Sequence, residues 1–387
     1  MKILFICSSL EPEQDGVGDY TRKLAQALIC RGYKVKIMAL NDRRITGSSW
    51  RGNQQDNNIA IEVLRLPESL QWDLRLHIAK KFVDDFNPGW ISLQFVPFGY
   101  QIKGLPFQLG KKLKQLSTKA RWHVMFHELS VNKNDSFKFR IWAFLQVRII
   151  KSLLKELKPA FITTNTQAYQ YSIQELGHTA FLLPLFSNIE RIPADKNLFI
   201  HKIPGYLVND RAAYLTGTLF GTFSFKSWNL HSLCGKLSAQ YPKKRIVIAS
   251  IGKMSSGEEY WESLKNSYPS IIFLELGMQD AAFISWWLTH YTDFGILTTL
   301  PGLAGKSGSF MAFKEHGVPV LCTEPGELIK AYNIRLDDSL TVVTGDNQPL
   351  IIPQKMAPAA VSLLERTTNQ FIEYLQNSQQ STVNSQR

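Results

Sequence analysis

Ile3-Leu4-Phe5-Ile6-Cys7, a polar stretch, then Asp15-Gly16-Val17-Gly18-Asp19-Tyr20-Thr21-Arg22-Lys23-Leu24-Ala25, and beyond it Arg31-Gly32-Tyr33-Lys34-Val35, open the sequence. The short apolar run reads as a buried strand. Apolar residues at Val17, Tyr20, Leu24, Ala27 and Leu28 recur at helical spacing, and Gly32 supplies the stop. Strand, glycine loop and helix in that order form the first half of a βαβ unit.

The alternation continues outward. Strands are expected at 35–40, 59–66, 90–95, 122–126 and 160–164, with helices at 72–86, 107–116, 137–157 and 167–176 between them. Strands alternating with helices imply a parallel sheet covered on both faces. Scattered prolines and Gly205 mark 189–210 as a linker, after which strands at 213–218, 245–250, 271–274, 294–298 and 318–322 begin a second alternating series. The expected organisation is therefore α/β, with two doubly wound Rossmann-like domains at 1–188 and 211–356. A closing helix at 357–375 follows, and 376–387 reads as a disordered Gln/Ser/Asn-rich tail.

Composition agrees with two folded domains. The chain has 387 residues, 44% apolar and 20% charged, too long for a lone binding module and too apolar for a disordered or fibrous chain. Its net charge of +12 is uneven: residues 1–190 carry 26 basic and 16 acidic side chains, residues 191–387 carry 18 and 16. A basic first half suits an anionic partner, whether phosphate, membrane surface or nucleic acid, and equally a generally basic solvated surface. The helices at 111–121 and 138–158 mix cations with large apolar residues, a pattern that fits anionic lipid or an ordinary sheet-facing stripe. No recognised nucleic-acid motif accompanies the cations.

Cys7, Cys30, Cys234 and Cys322 form no paired motif and read as buried reduced thiols. The apolar start is too short for a signal-peptide core, and no run approaches the roughly 20 residues of a membrane span. The expected location is the cytoplasm, with the inner face of the membrane as a peripheral site.

Ligands of open α/β sheets bind beyond the carboxyl ends of the strands, so the candidates lie in those loops. In the first, Gly16-Val17-Gly18 lets the backbone turn tightly at a helix start, although the third glycine of a dinucleotide fingerprint is missing. The same residues would also make a plain tight turn. In the second, His127-Glu128 ends a strand, where the imidazole is placed either to bond a sugar hydroxyl or to brace a turn. In the third, Gly305-Lys306-Ser307-Gly308-Ser309 opens a helix and gathers N–H groups, hydroxyls and a cation where a diphosphate fits; a simple helix cap is the other reading. It is not a Walker loop. In the fourth, Gly221-Thr222-Phe223-Ser224-Phe225-Lys226 follows the first strand of the second domain.

Residues 16–25 with 31–35 resemble the amino-terminal signature of glycosyltransferase family 4. That resemblance implies a GT-B fold, two Rossmann-like domains facing across a cleft, and transfer of a sugar from a nucleotide-sugar donor with retention and without metal. The absence of a DxD motif and of a His/Cys cluster agrees with the last point. It implies donor-phosphate contact for Gly16, Val17 and Gly18, an acceptor side at Asp19, Tyr20 and Glu128, and a donor-sugar contact at His127.

Residues 301–320 look like the family's donor element, ending in Gly317-Val318-Pro319-Val320, so Gly305 to Ser309 would hold the donor diphosphate. Thr222 and Lys226 match the region that neutralises the leaving diphosphate, and Lys226 is, with His127, a candidate catalytic residue. One departure stands out. Where the family has two glutamates eight positions apart, this chain has Ala304 and Ala312. The expected partners are a nucleotide sugar and a carbohydrate or lipid-linked acceptor, with no cofactor. A catalytically silent scaffold or carbohydrate binder and a nucleotide-sugar epimerase are the rivals.

Overall fold

A computed structural model describes residues 1–129, 137–221, 230–254, 257–323, 327–343 and 349–384. The chain divides into two units, Met1–Leu185 with Leu364–Arg387, and Phe186–Leu363.

Among the described residues the first unit is built on β1 (Lys2–Cys7), β2 (Lys34–Asp42), β3 (Trp50–Asp56), β4 (Ile59–Pro67), β5 (Trp90–Phe95), β6 (Arg121–Phe126), β7 (Phe161–Thr164) and β8 (Phe181–Leu182). Their order in the sheet is β3-β4-β2-β1-β5-β6-β7-β8. Ile3 to Cys7 have no solvent exposure, which is why β1 reads as an unbroken apolar run. The wholly parallel sheet expected from sequence is corrected at one edge, where β3 pairs antiparallel with β4. The hairpin turns on Asn57 and Asn58, both in the left-handed region (φ 45° and 62°), as a two-residue turn requires. Trp50-Arg51-Gly52-Asn53-Gln54-Gln55-Asp56 has no apolar alternation, so this edge strand leaves no periodic signal.

The closing helix runs over Leu363–Asn384, so most of the segment expected to be a disordered tail continues the helix. It belongs to the first unit: Phe371 packs against Phe5 and His123, and the Tyr374 hydroxyl donates to the Leu182 carbonyl at 3.0 Å.

The second unit holds β9 (Tyr214–Phe220), β10 (Arg245–Ile251), β11 (Ile272–Gly277), β12 (Phe294–Leu297), β13 (Val320–Cys322) and β14 (Leu340–Val342). All pair in parallel, in the order β11-β10-β9-β12-β13-β14. The core includes Phe283, Trp286 and Trp287 of helix Ala281–His290, as their apolar context suggests. The expected linker is corrected here. Trp286 Nε1 donates to the carbonyls of Asp195 and Lys196, and Phe199 packs edge-on against Phe283 and Trp286, so 195–199 is part of this unit's packing.

Both sheets share one topology. Counting parallel strands only, the first has the order 3-2-1-4-5-6-7 and the second 3-2-1-4-5-6, and each reverses direction at its first strand, between β1 and β5 in the first unit and between β9 and β12 in the second. The loops at those two reversals are where a doubly wound sheet binds ligands. Cys7, Cys234 and Cys322 are buried free thiols, whereas Cys30 is exposed. Among the described residues, no helix is long and apolar enough to cross a membrane.

Candidate functional site

At the first reversal, the loop after β1 runs into helix Gly16–Cys30, whose cap is Asp15. Asp15 Oδ1 accepts from the N–H groups of Val17 (3.0 Å) and Gly18 (2.9 Å), so a carboxylate already occupies the anion position at this helix start. The two glycines differ in kind. A Cβ on Gly18 would sit 2.7 Å from the Ser9 carbonyl oxygen, whereas one on Gly16 would meet nothing within 4 Å. Gly18 is thus required by the approach of helix to loop, and Gly16 borders open space.

The loop is fastened from below by residues that sequence reasoning missed. Asp42, at the end of β2 and fully buried, accepts from Arg65 Nε (2.7 Å), Ser9 Oγ (3.0 Å), and the N–H groups of Arg44 (2.9 Å) and Leu10 (3.2 Å). Arg22 Nη1 and Gln54 Nε2 both donate to the Leu10 carbonyl, at 3.1 and 3.0 Å. Asp19 accepts from the Glu13 N–H at 3.1 Å and is ion-paired with Arg22, so it braces this loop. The Asp15 and Asp19 carboxyls are both held above their ordinary range by burial.

His127 lies just past β6 and is buried, with its ring edge-on to Tyr20 of helix Gly16–Cys30 (centroids 5.0 Å). The structure therefore brings His127 and Tyr20 together. Tyr20 is itself buried and its hydroxyl is pushed up in pKa by that burial, while Glu128 is half-buried.

A line of buried polar groups fixes the protonation of His127. Thr163 Oγ1 donates to Met125 Sδ at 2.9 Å, and a thioether can only accept. The 2.8 Å contact from Thr163 to His123 Nε2 must then be an N–H donated by the imidazole, which leaves Nδ1 to accept from Ser92 Oγ at 2.8 Å. Ser92 Oγ accepts from Gln94 Nε2 at 2.8 Å, so Gln94 Oε1 accepts from His127 Nε2–H at 2.9 Å. This places the His127 lone pair on Nδ1. Burial pushes both imidazoles down to about 3, so both are neutral at pH 7.

Gln94 is the expected key to that arrangement. In Gln94→Leu, imidazole 15N NMR should show the Nε2–H form of His127 giving way to a mixture; an Nδ1–H imidazole in the parent protein would overturn the assignment. The signal for Gln94 was present in the sequence: Ser92 and Gln94, two residues apart, put polar groups on one face of an otherwise buried strand.

At the second reversal, a 3-10 turn Pro301–Lys306 leads to helix Gly308–Glu315. Ser307 is its cap, accepting from the Phe310 N–H at 3.3 Å, and Ser309 Oγ donates to the Phe220 carbonyl at the end of β9, at 2.5 Å. The helix geometry gives the amides of Gly308 and Ser309 no intrahelical acceptor. Gly305, Lys306 and Ser309 are half-buried, and Gly308 is exposed. Five of the sequence-predicted residues, Gly305 to Ser309, are therefore gathered at one helix start beside β9. Thr222 and Lys226 lie outside the described residues. Ala304 and Ala312 are buried, so methyl groups fill the core where the family pattern has carboxylates.

Gly221, which opens the fourth candidate segment, and Gly252, which sequence reading missed, complete this edge. Gly221 N–H donates to the Ile251 carbonyl and Gly252 N–H to that of Gly277, each at 2.9 Å, which links the carboxyl ends of β9, β10 and β11. Gly252 has φ 127°, and a Cβ there would lie 1.9 Å from the Gly221 carbonyl oxygen. Only a glycine fits this crossing.

No protein-family model and no curated protein matches the chain. Solved structures do. HepE of Anabaena in complex with UDP and glucose is 14% identical, with 98% of this chain and 91% of that one covered and a TM-score of 0.54. A protein named as trehalose-6-phosphate from E. coli, bound with UDP-2-fluoro glucose, is 10% identical over 100% and 98%, with a TM-score of 0.51. The lipopolysaccharide outer core galactosyltransferase WaaB in its apo form is 10% identical over 86% and 89%, also at 0.51. The fold is GT-B. The loop after β1 and the His127 loop after β6 belong to the first Rossmann-like unit, and the Ser307 helix start at the second reversal belongs to the other.

Proposed function

We propose that the protein is a glycosyltransferase, similar to family 4, that moves a hexosyl group from a nucleotide-diphosphate sugar to a carbohydrate or lipid-linked acceptor with retention of configuration. The observation that carries this reading is the second-unit reversal point, where the first-turn amides of Gly308 and Ser309, the Ser307 and Ser309 hydroxyls and Lys306 gather beside Gly221. Oriented N–H groups at a helix start with a cation nearby suit a diphosphate, and they stabilise the charge that develops on it as the sugar leaves. Lys226 would add a second cation. Neutral His127 offers Nδ1 as an acceptor for a sugar hydroxyl. Because Asp15 fills the anion position of the first helix, Gly16 and Gly18 shape the loop in this reading, and phosphate binding falls to the second unit. UDP and UDP-sugars are the first ligands to test, since HepE and the E. coli protein are seen with them.

A silent GT-B scaffold is the second reading, favoured by the buried Ala304 and Ala312. The experiment that separates them is a thermal-shift series with UDP, ADP, GDP and their sugars, followed by a transfer assay. A raised melting temperature with one nucleotide and turnover of its sugar are expected. Transfer should fall at least about tenfold in Lys226→Ala and Lys306→Ala with melting temperature unchanged, and by as much in His127→Ala, where loss of a buried side chain bonded to Gln94 also lowers the melting temperature. Binding without turnover would favour the scaffold.

A further inference from the structure

Residues 97–158 of the first unit contain thirteen Lys and Arg against three Asp and Glu, so nearly all of the chain's net charge of +12 is concentrated in this segment. Two strips of it lie side by side. Trp142 Nε1 donates to the Lys103 carbonyl at 2.8 Å, Gln146 Nε2 donates to the Gly104 carbonyl at 3.2 Å, and Gly110 packs against the backbone of Leu153. The first strip, 98–114, thus follows helix Phe137–Leu157 along its length.

Each strip exposes large apolar side chains. Phe98 is 38% exposed, Ile102 72% and Phe107 56% on the first strip, and Ile141 is 43% and Phe144 58% on the helix. Single exposed apolar residues are commonplace, but five on two adjoining strips are the composition of a docking surface. Farther along the helix Ile149, Ile150, Leu153 and Leu154 are buried, whereas Phe144 is not. Cations occupy the same stripe: Arg140 and Arg148 are exposed one turn on either side of Phe144, and the Arg148 guanidinium lies 5.7 Å from its ring centre. The one acidic residue of the helix, Glu156, is paired with Lys114.

We propose that this patch docks the first unit onto an anionic lipid bilayer, with Ile102, Phe107, Ile141 and Phe144 entering the headgroup layer and Arg140, Arg148 and Lys103 lying on lipid phosphates. Aliphatic groups at 102 and 141 gain nothing from a nucleic-acid backbone, which recruits cations alone, whereas a bilayer interface rewards both classes of side chain. Attachment of this kind is independent of sugar transfer and is read without it.

The test is co-sedimentation of the whole chain with vesicles of phosphatidylcholine alone, and with roughly a third phosphatidylglycerol. Binding to the anionic vesicles only is expected. The triple variant Ile102→Ser, Phe107→Ser, Phe144→Ser, all at exposed positions, should keep its melting temperature and lose partitioning at least about tenfold. Arg140→Gln with Arg148→Gln should lose about as much, without touching the apolar residues. The proposal is overturned if the chain stays in the supernatant with anionic vesicles. It is equally overturned if the serine variant binds like the parent while an oligonucleotide competes the protein off, which would make the patch a polyanion surface.

Discussion

Asp42→Ala is expected to destabilise the first unit by about 3–5 kcal/mol, measured as a fall in the urea midpoint of the full chain. The carboxylate has no solvent exposure, and its removal strands the buried Arg65 guanidinium with Glu11 as its remaining partner while Ser9, Leu10 and Arg44 lose an acceptor. Breaking a buried pair from one side costs far more than the pair itself contributes, because the surviving charge stays out of water. The control is Glu11→Gln. Glu11 also bonds Arg65 but its side chain is 31% exposed, so its loss should cost under about 1 kcal/mol. Equal effects from the two variants would show that the loop is not held through Asp42.

The same residues set the acid limit of this unit. Burial alone would raise the Asp42 carboxyl, but the Arg65 hydrogen bond and the backbone donors more than offset it and hold the group below its ordinary value. A lowered carboxyl contributes stability above its unfolded value of about 3.9 and loses it as pH falls through the folded value. His123 and His127 act earlier. Their folded values of about 3 lie below the unfolded value of about 6.5, so the unfolded chain takes up protons first and stability declines from about pH 6.5 downward. Urea midpoints across pH 7 to 3 should therefore fall in two stages; a flat profile down to about pH 4 would contradict the burial of both imidazoles.

Gly252→Ala is expected to cost the second unit about 3 kcal/mol and to abolish nucleotide-dependent thermal stabilisation. A methyl group at φ 127° is strained in itself, and at 1.9 Å from the Gly221 carbonyl oxygen it must push apart the carboxyl ends of β9 and β10. That displacement reaches the candidate phosphate site, because Ser309 is bonded to Phe220, the neighbour of Gly221. Gly16→Ala provides the contrast. Its Cβ would enter open space at a helix start, so stability should stay within about 0.5 kcal/mol of the parent. Nucleotide stabilisation that survives Gly252→Ala would detach the Ser307–Ser309 helix start from the donor site.

Local signals were legible wherever burial and chain direction coincide. The apolar run of β1, the helical spacing from Val17 to Leu28, the Gly32 stop and the Gly317-Val318-Pro319-Val320 entry to β13 all appear where sequence places them. The polar edge strand β3 and the continuation of the closing helix past 375 were not legible. The first has only a hairpin to define it, and the second is anchored by Phe371 and Tyr374 against strands about 200 residues or more away in sequence.

The sequence by itself determined two doubly wound sheets and named the loops at their reversal points, because strand and helix periodicities are local and each strand must be buried on both faces. Only the tertiary structure decided what those loops do. Asp42 and Arg65 meet across 23 residues, Ser92 and His123 across 31, and Gly221 and Gly252 touch through backbone atoms that carry no side-chain signal. Hydrogen bonding and steric exclusion act over a few ångströms of space regardless of separation along the chain. The tautomer of His127 and the glycine-only crossing beside Ser309 therefore follow from folding, whereas the Asp15 cap, which reaches only two and three residues ahead, is a local feature of the sequence.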